Sequence, residues 1–268
     1  MNFKKSNISF HDLMPYRIHE ILLVSSEYDA FILEQDGKLS EQIMNEYMGM
    51  NLSYAPRVSN ATSANLAIKM IDEKSFDLVI VMMRLSDMNP IQLGEKIKSK
   101  YPNKATVLLA FDESEIKKIP YSKIQYFDEI FIWSGNSNVF PAIIKCIEDK
   151  NNLSNDIHMG DIRIMVLVED TPKYYSSILP ALYKQIIFNT KQLIDKSLDD
   201  TQKLLHMRGR PKIILTKNYE EATILLNKYK NNILGIITDL RFKLNKIKNN
   251  NAGIKLIEFI RTQDKTVP

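Results

Sequence analysis

Three carboxylates have the types and spacing to do chemistry in this chain. Glu169 and Asp170 close one apolar run, Val166-Leu167-Val168, and Asp239 closes another, Gly235-Ile236-Ile237-Thr238. Each run is long enough for one buried strand, so each acid stands at a strand's carboxyl end. In an open parallel α/β sheet that edge is where ligands bind. Carboxylates converging there form a hard-oxygen site suited to Mg2+, and one of them remains able to act as a nucleophile. Other reactive residues offer less. His11, His19, His158 and His206 are scattered without metal-ligand spacing. The chain's 8 glycines form no phosphate-cradling loop. Arg208, Arg210 and Lys212 read as a solvated basic turn, and Tyr174-Tyr175 as a helix start with one ring buried and one exposed.

The elements that must position these acids recur in two related halves. In the first, apolar runs predict strands at 20–24, 77–82, 106–110 and 129–133, with an extended piece at 51–58. Helical periodicity lies between them, at 29–47, 61–73, 91–101 and 139–150. Strands alternating with helices predict a parallel sheet covered on both faces. A polar stretch, residues 151–160 (most clearly 151–156), reads as a linker. The pattern then restarts with strands at 163–168, 212–216 and 234–238 and helices at 174–207, 219–229 and 253–261. The expected domains are therefore 1–150 and 161–268, the second ending two strands short of the first.

Bulk properties bound the function class. A chain of 268 residues suits two domains, and 44% hydrophobic with 25% charged residues suits globular cores. The net charge of +4 is spread along the chain, so no nucleic-acid face is expected. No apolar run approaches the ~18 residues of a membrane helix, and residues 1–16 lack the apolar core of a signal peptide. The single cysteine, Cys146, lies in an apolar periodic stretch and reads as a core residue of a cytoplasmic protein.

With these residues in place, both halves resemble receiver domains of bacterial two-component response regulators. The resemblance implies two flavodoxin-like doubly wound α/β sheets, the second truncated at its C-terminus, with strand order 2-1-3-4-5, the order for which this family is a well-known example. It also implies roles. Glu169 and Asp170 match the acid pair that holds Mg2+, Asp239 the phosphoacceptor, and Arg241 the residue whose backbone carbonyl completes the metal site. The Thr or Ser and the Lys of the last two strands fall beyond residue 268. An extended first helix, running on through Arg208, absorbs the long interval between the acid pair and Asp239. In the first half Ser25 and Ser26 stand for the acid pair, Met82 for the phosphoacceptor, Ala110 for the Thr or Ser and Trp133 for the Lys. A thioether accepts no phosphate and two serines form no anionic cage, so that half reads as a pseudo-receiver.

The implied function is a regulatory module, not itself an enzyme. It takes a phosphoryl group from a histidine kinase or phosphotransfer protein, with Mg2+ as cofactor, and alters a partner or a downstream domain. Residues 174–180 and 207–213 add a resemblance to the N-terminal region of bacterial proteins that continue into a pyruvate phosphate dikinase or phosphoenolpyruvate synthase-like domain. The long helix is a natural surface for a partner or a homodimer. The alternatives are a phosphorylation-independent interaction or dimerisation scaffold, and a free-standing enzyme on the same fold, which lacks a further catalytic group near the acids.

Overall fold

The computed structural model describes residues 9–35, 39–49, 55–136, 138–194, 199–263 and 266–268. The chain divides into two units. The first holds Arg17–Ile144 with Ser176–Pro180, and the second holds Met1–Tyr16, Lys145–Tyr175 and Ala181–Pro268.

In chain order the first unit contains β1 (Glu20–Val24), α1 (Glu27–Gln35), α2 (Leu39–Gly49), β2 (Arg57–Ala61), α3 (Ala64–Glu73) and β3 (Leu78–Met82). It continues with α4 (Pro90–Lys100), β4 (Ala105–Ala110), α5 (Glu113–Lys117), α6 (Tyr121–Ile124) and β5 (Glu129–Ile132), and α7 (Val139–Gly160) begins in it. The strands form a five-stranded sheet, β2-β1-β3-β4-β5, and every pair is parallel. This is the flavodoxin-like order. β3, β4 and β5 are buried at every residue, as strands covered on both faces must be, whereas the edge strand β2 is half polar and largely accessible. α3 starts where Ser63 accepts a hydrogen bond from Leu66 N–H, and it turns Ala64, Ala67 and Ile71 into the core. Leu22, Val79, Val81 and Leu108 fill the centre of that core.

The second unit contains β6 (Ile164–Val168), α8 (Pro172–Ile194), α9 (Asp200–Arg208), β7 (Lys212–Thr216), α10 (Tyr219–Lys228) and β8 (Ile233–Thr238). A hairpin, β9 (Phe242–Leu244) and β10 (Ile247–Asn249), and α11 (Ala252–Gln263) complete it. β7-β6-β8 form a parallel three-stranded sheet over a core of Val166, Val168, Ala222, Phe242 and Leu256. Ile236 N–H donates to the Pro268 carbonyl at 3.1 Å, so the end of the chain lies along the free edge of β8.

Several expectations change. The stretch 151–160 is no linker. It is the C-terminal half of α7, where Asn152 and Asp156 are fully buried. The helix expected over 29–47 is two helices, α1 and α2, and residues 36–38 lie outside the described ones. The extended piece expected at 51–58 is β2, which starts at Arg57; residues 51–54 lie outside the described ones. The long helix expected over 174–207 is also two, because Asp199 caps a new start by accepting from Gln202 N–H. The hairpin at 242–249 and the short helices α5 and α6 lie outside the expected elements.

The basic stretch 208–212 is the largest correction. Arg210 and Lys212 are buried to within 1%. Arg210 makes a two-pronged contact with Asp149, at 2.7 and 3.0 Å, and Tyr183 Oη donates to the same carboxylate at 3.2 Å. Lys212 Nζ lies 2.9 Å from Asp156, whose other oxygen accepts from Met14 N–H at 2.8 Å. Burial pulls the Lys212 ammonium below its usual range against these anions. The charges that a turn would have solvated are compensated by acids on α7. Cys146 is buried, and Tyr175 is buried while Tyr174 is exposed, as expected.

Candidate functional site

The site is built by strand register. Val168 of β6 pairs with Thr238 of β8, and Asp239 N–H donates to the Val168 carbonyl at 3.0 Å. Glu169 and Asp239 are therefore the next residues of two neighbouring parallel strands, at the carboxyl edge of the central strand and its partner. Side chains in matching register share a face of the sheet. Asp170 follows immediately and leads through Thr171 into α8.

Glu169 is 4% exposed, and its Oε1 accepts from Thr171 N–H at 2.8 Å. Its pKa is raised, first by burial and further by the charges of Asp239 and Asp170, against the lowering effect of the Thr171 bonds. Asp170 Oδ1 accepts from Thr171 Oγ1 at 3.2 Å and meets Lys248 Nζ at 3.4 Å. Asp239 is half-buried, and its Oδ1 accepts from Leu240 N–H at 2.7 Å. Each acid is thus turned toward a donor close to it. Among the described residues, no group of three or more His, Cys, Asp or Glu is arranged to hold a metal ion. Arg241 is exposed in the loop between β8 and β9.

α11 fixes the Asp239 loop. Gly253 N–H donates to the Leu240 carbonyl at 3.1 Å. A Cβ at Gly253 would collide with the Asp239 carbonyl oxygen and stand 2.9 Å from Leu240 Cα. Only glycine lets the helix approach this closely.

The donor set suits Mg2+ in kind, being three carboxylates and nearby backbone oxygens with no soft ligand. The cluster also already attracts a cation, the Lys248 ammonium. Glu169, Asp170 and Asp239 offer oxygen donors of this kind, but they are not gathered into a metal-holding group in this structure.

The corresponding edge of the first unit is closed. Ser25, Met82, Ala110 and Trp133 stand at or just past the ends of β1, β3, β4 and β5, and all are buried. Ser26 caps α1, its Oγ accepting from Asp29 N–H at 3.1 Å. Trp133 packs on Phe111 with ring centroids 5.6 Å apart, and the Arg84 guanidinium lies 4.5 Å from the Phe111 centroid. Apolar and stacked groups fill this edge, which holds no acid pair after β1 and no acid at the end of β3.

No family model and no curated protein matches the chain. Solved structures similar to it include a CheY-like response regulator receiver domain protein from Methanospirillum hungatei JF-1, with 17% identity and a TM-score of 0.39 over 51% of this chain and 98% of that one. A second is the signal receiver domain of an HD domain-containing protein from Pseudomonas fluorescens Pf-5, with 21% identity and a TM-score of 0.36 over 52% and 96%. A third is the response regulator TrrA of Thermotoga maritima in complex with Mg2+ and BeF, with 18% identity and a TM-score of 0.35 over 44% and 88%. Likenesses this distant carry no argument about function, and the fold rests on the strand order itself.

Proposed function

We propose that this chain is a two-component signalling module in which the second unit accepts a phosphoryl group on Asp239 and the first is a pseudo-receiver. The observation that supports this most is the register of Glu169 and Asp239 at one carboxyl edge, with Asp170 beside them. Phosphoryl transfer asks little covalent work of a protein beyond alignment and charge neutralisation. An Asp239 oxygen attacks phosphorus while the bond to the donor's leaving group breaks, the electron pair leaving with the donor. A phosphohistidine of a kinase or phosphotransfer protein, or a small acyl phosphate, has the required chemistry. Bound Mg2+ would neutralise charge on the transferring group. Glu169, Asp170, Asp239 and the Arg241 carbonyl would hold that cation, and the Gly253 contact fixes the Asp239 loop beside them. The new anion on Asp239 then biases neighbouring elements toward a state that a partner or a downstream domain reads.

The first unit has lost the same groups together, which fits a role in holding partners or a second copy of the chain. A phosphorylation-independent scaffold remains the second reading, favoured by one observation: each acid of the second unit is engaged with a donor of its own. Thermal unfolding followed with increasing Mg2+ separates the two. The acceptor reading expects stabilisation by Mg2+ that Glu169→Gln and Asp239→Asn each reduce. Equal melting of all three proteins with and without Mg2+ would favour the scaffold.

A further inference from the structure

Helices α3 and α4 of the first unit frame a groove of about 500 Å3. Both helices return from strand ends of one parallel sheet, so they run in the same direction, and both bury residues in one core. The floor of the groove is apolar: Ile68 and Ile71 from α3 and Ile97 from α4. Its two walls match rung by rung. Asp72 of α3 accepts from Lys100 Nζ of α4 at 2.7 Å, and Tyr101 Oη donates to the same oxygen at 2.8 Å. Residues four apart share a helix face, so one turn earlier Ile68 precedes Asp72 and Lys96 precedes Lys100. The second rung therefore sets an exposed ammonium against an isoleucine, where the first sets one against a carboxylate. The other acid at the groove, Glu95, is engaged elsewhere. It accepts from Tyr126 Oη at 2.9 Å and meets Lys123 Nζ at 3.6 Å. Among the described residues Lys96 has no ion pair.

We propose that this groove binds an amphipathic monocarboxylate, whose head pairs with Lys96 and whose apolar chain covers Ile68, Ile71 and Ile97. Small-molecule sites have this make-up: a concave, mostly apolar space with a small number of polar groups that fix orientation. The ligand carboxylate supplies to the second rung the acid that Asp72 supplies to the first. A cationic head is disfavoured, because both acids at the groove already hold donors while the one uncommitted charge is positive. The Asp72 rung ties the two helices together without ligand, so the groove exists before binding and little ordering is required. The site belongs to the unit without the acid edge and uses none of the residues around Asp239. It gives the first unit a chemical input of its own, independent of phosphoryl acceptance.

The test is a nuclear magnetic resonance titration of the whole chain with labelled isoleucine methyl groups. The probes are octanoate, kept below its micelle concentration, and octanol as its uncharged counterpart. Octanoate should shift the methyl signals of Ile68, Ile71 and Ile97 along a saturable curve. Lys96→Met should weaken octanoate by up to about fivefold, the scale of one exposed ion pair, and leave octanol unchanged. Lys69→Met removes an equal charge next to Ile68 in sequence, but from a lysine paired with Glu73 at 3.8 Å, and should change neither affinity. Ile68→Ala should weaken both probes by a similar factor, about fivefold, through lost apolar contact. Octanoate binding that ignores Lys96→Met overturns the proposal. So do shifts at exposed isoleucines such as Ile224 and Ile247 that match those in the groove, which mark unspecific adsorption, and so does the absence of saturable shifts. Each of these failures leaves Asp239 as acceptor intact.

Discussion

Asp149 shows how much a single buried carboxylate can organise. It holds both prongs of Arg210, the Tyr183 hydroxyl and the Ile213 N–H, and none of these side chains reaches solvent. Removing one member leaves the other charge buried without compensation, which costs far more than the pair contributes. Asp149→Asn or Arg210→Met should lower stability by about 3–5 kcal/mol in urea unfolding. A loss under about 1 kcal/mol would mean that the pair is wetter than its burial implies. Asp87 works at the surface of the first unit, accepting from Asn65 and Ala64 N–H at the start of α3. Those N–H groups hold its pKa below the usual carboxylate range. A depressed carboxylate stabilises the fold above its unfolded pKa, and that stabilisation is lost as the pH falls through the folded value. Asp87→Asn should flatten the acid limb of the first unit's stability profile, and Trp133 fluorescence, from the chain's 1 tryptophan, is the readout. An unchanged profile would contradict the cap.

At the scale of elements, α11 and the Asp239 loop form one fitted joint. Gly253→Ala pushes a methyl group into backbone that has no side chain to swing away. The expected cost is about 1–3 kcal/mol, with a matching loss of Mg2+-dependent stabilisation. A variant that melts like the parent and responds equally to Mg2+ would show that the loop tolerates displacement. The buried strands were legible in the sequence because Leu78–Met82 and Ile164–Val168 are uninterrupted apolar runs, which nothing but a covered strand uses so economically. The acids were legible because they terminate such runs. Residues 151–160 were misread because local polarity suggests a loop, whereas Asn152 and Asp156 face distant partners, Tyr16 and Lys212. Arg210 and Lys212 were misread for the same reason. Their compensating acids lie about 60 residues earlier in the chain, a separation that periodicity cannot register. The hairpin did leave a signal: Asn245-Lys246 between Phe242-Lys243-Leu244 and Ile247 is a two-residue turn flanked by alternating apolar positions.

For the whole molecule, each unit holds a parallel sheet, and the two sheets differ in size and in the residues at their edges. The first has the complete five-stranded sheet and an edge sealed by Met82, Phe111 and Trp133. The second has three parallel strands and the acids. Among the described residues, no helix is long and apolar enough to cross a membrane. Because the acids belong to the second unit only, Mg2+ should leave the emission of Trp133 in the folded protein unchanged. A Mg2+-dependent quench would place a cation at the first unit's edge and contradict its reading as a pseudo-receiver. The most direct measurement of the central claim is the intact mass of the chain after incubation with Mg2+ and acetyl phosphate. The account predicts a gain of one phosphoryl group that is absent in Asp239→Asn and lost when Mg2+ is chelated beforehand. An unmodified parent chain, or a gain that survives in Asp239→Asn, would contradict it.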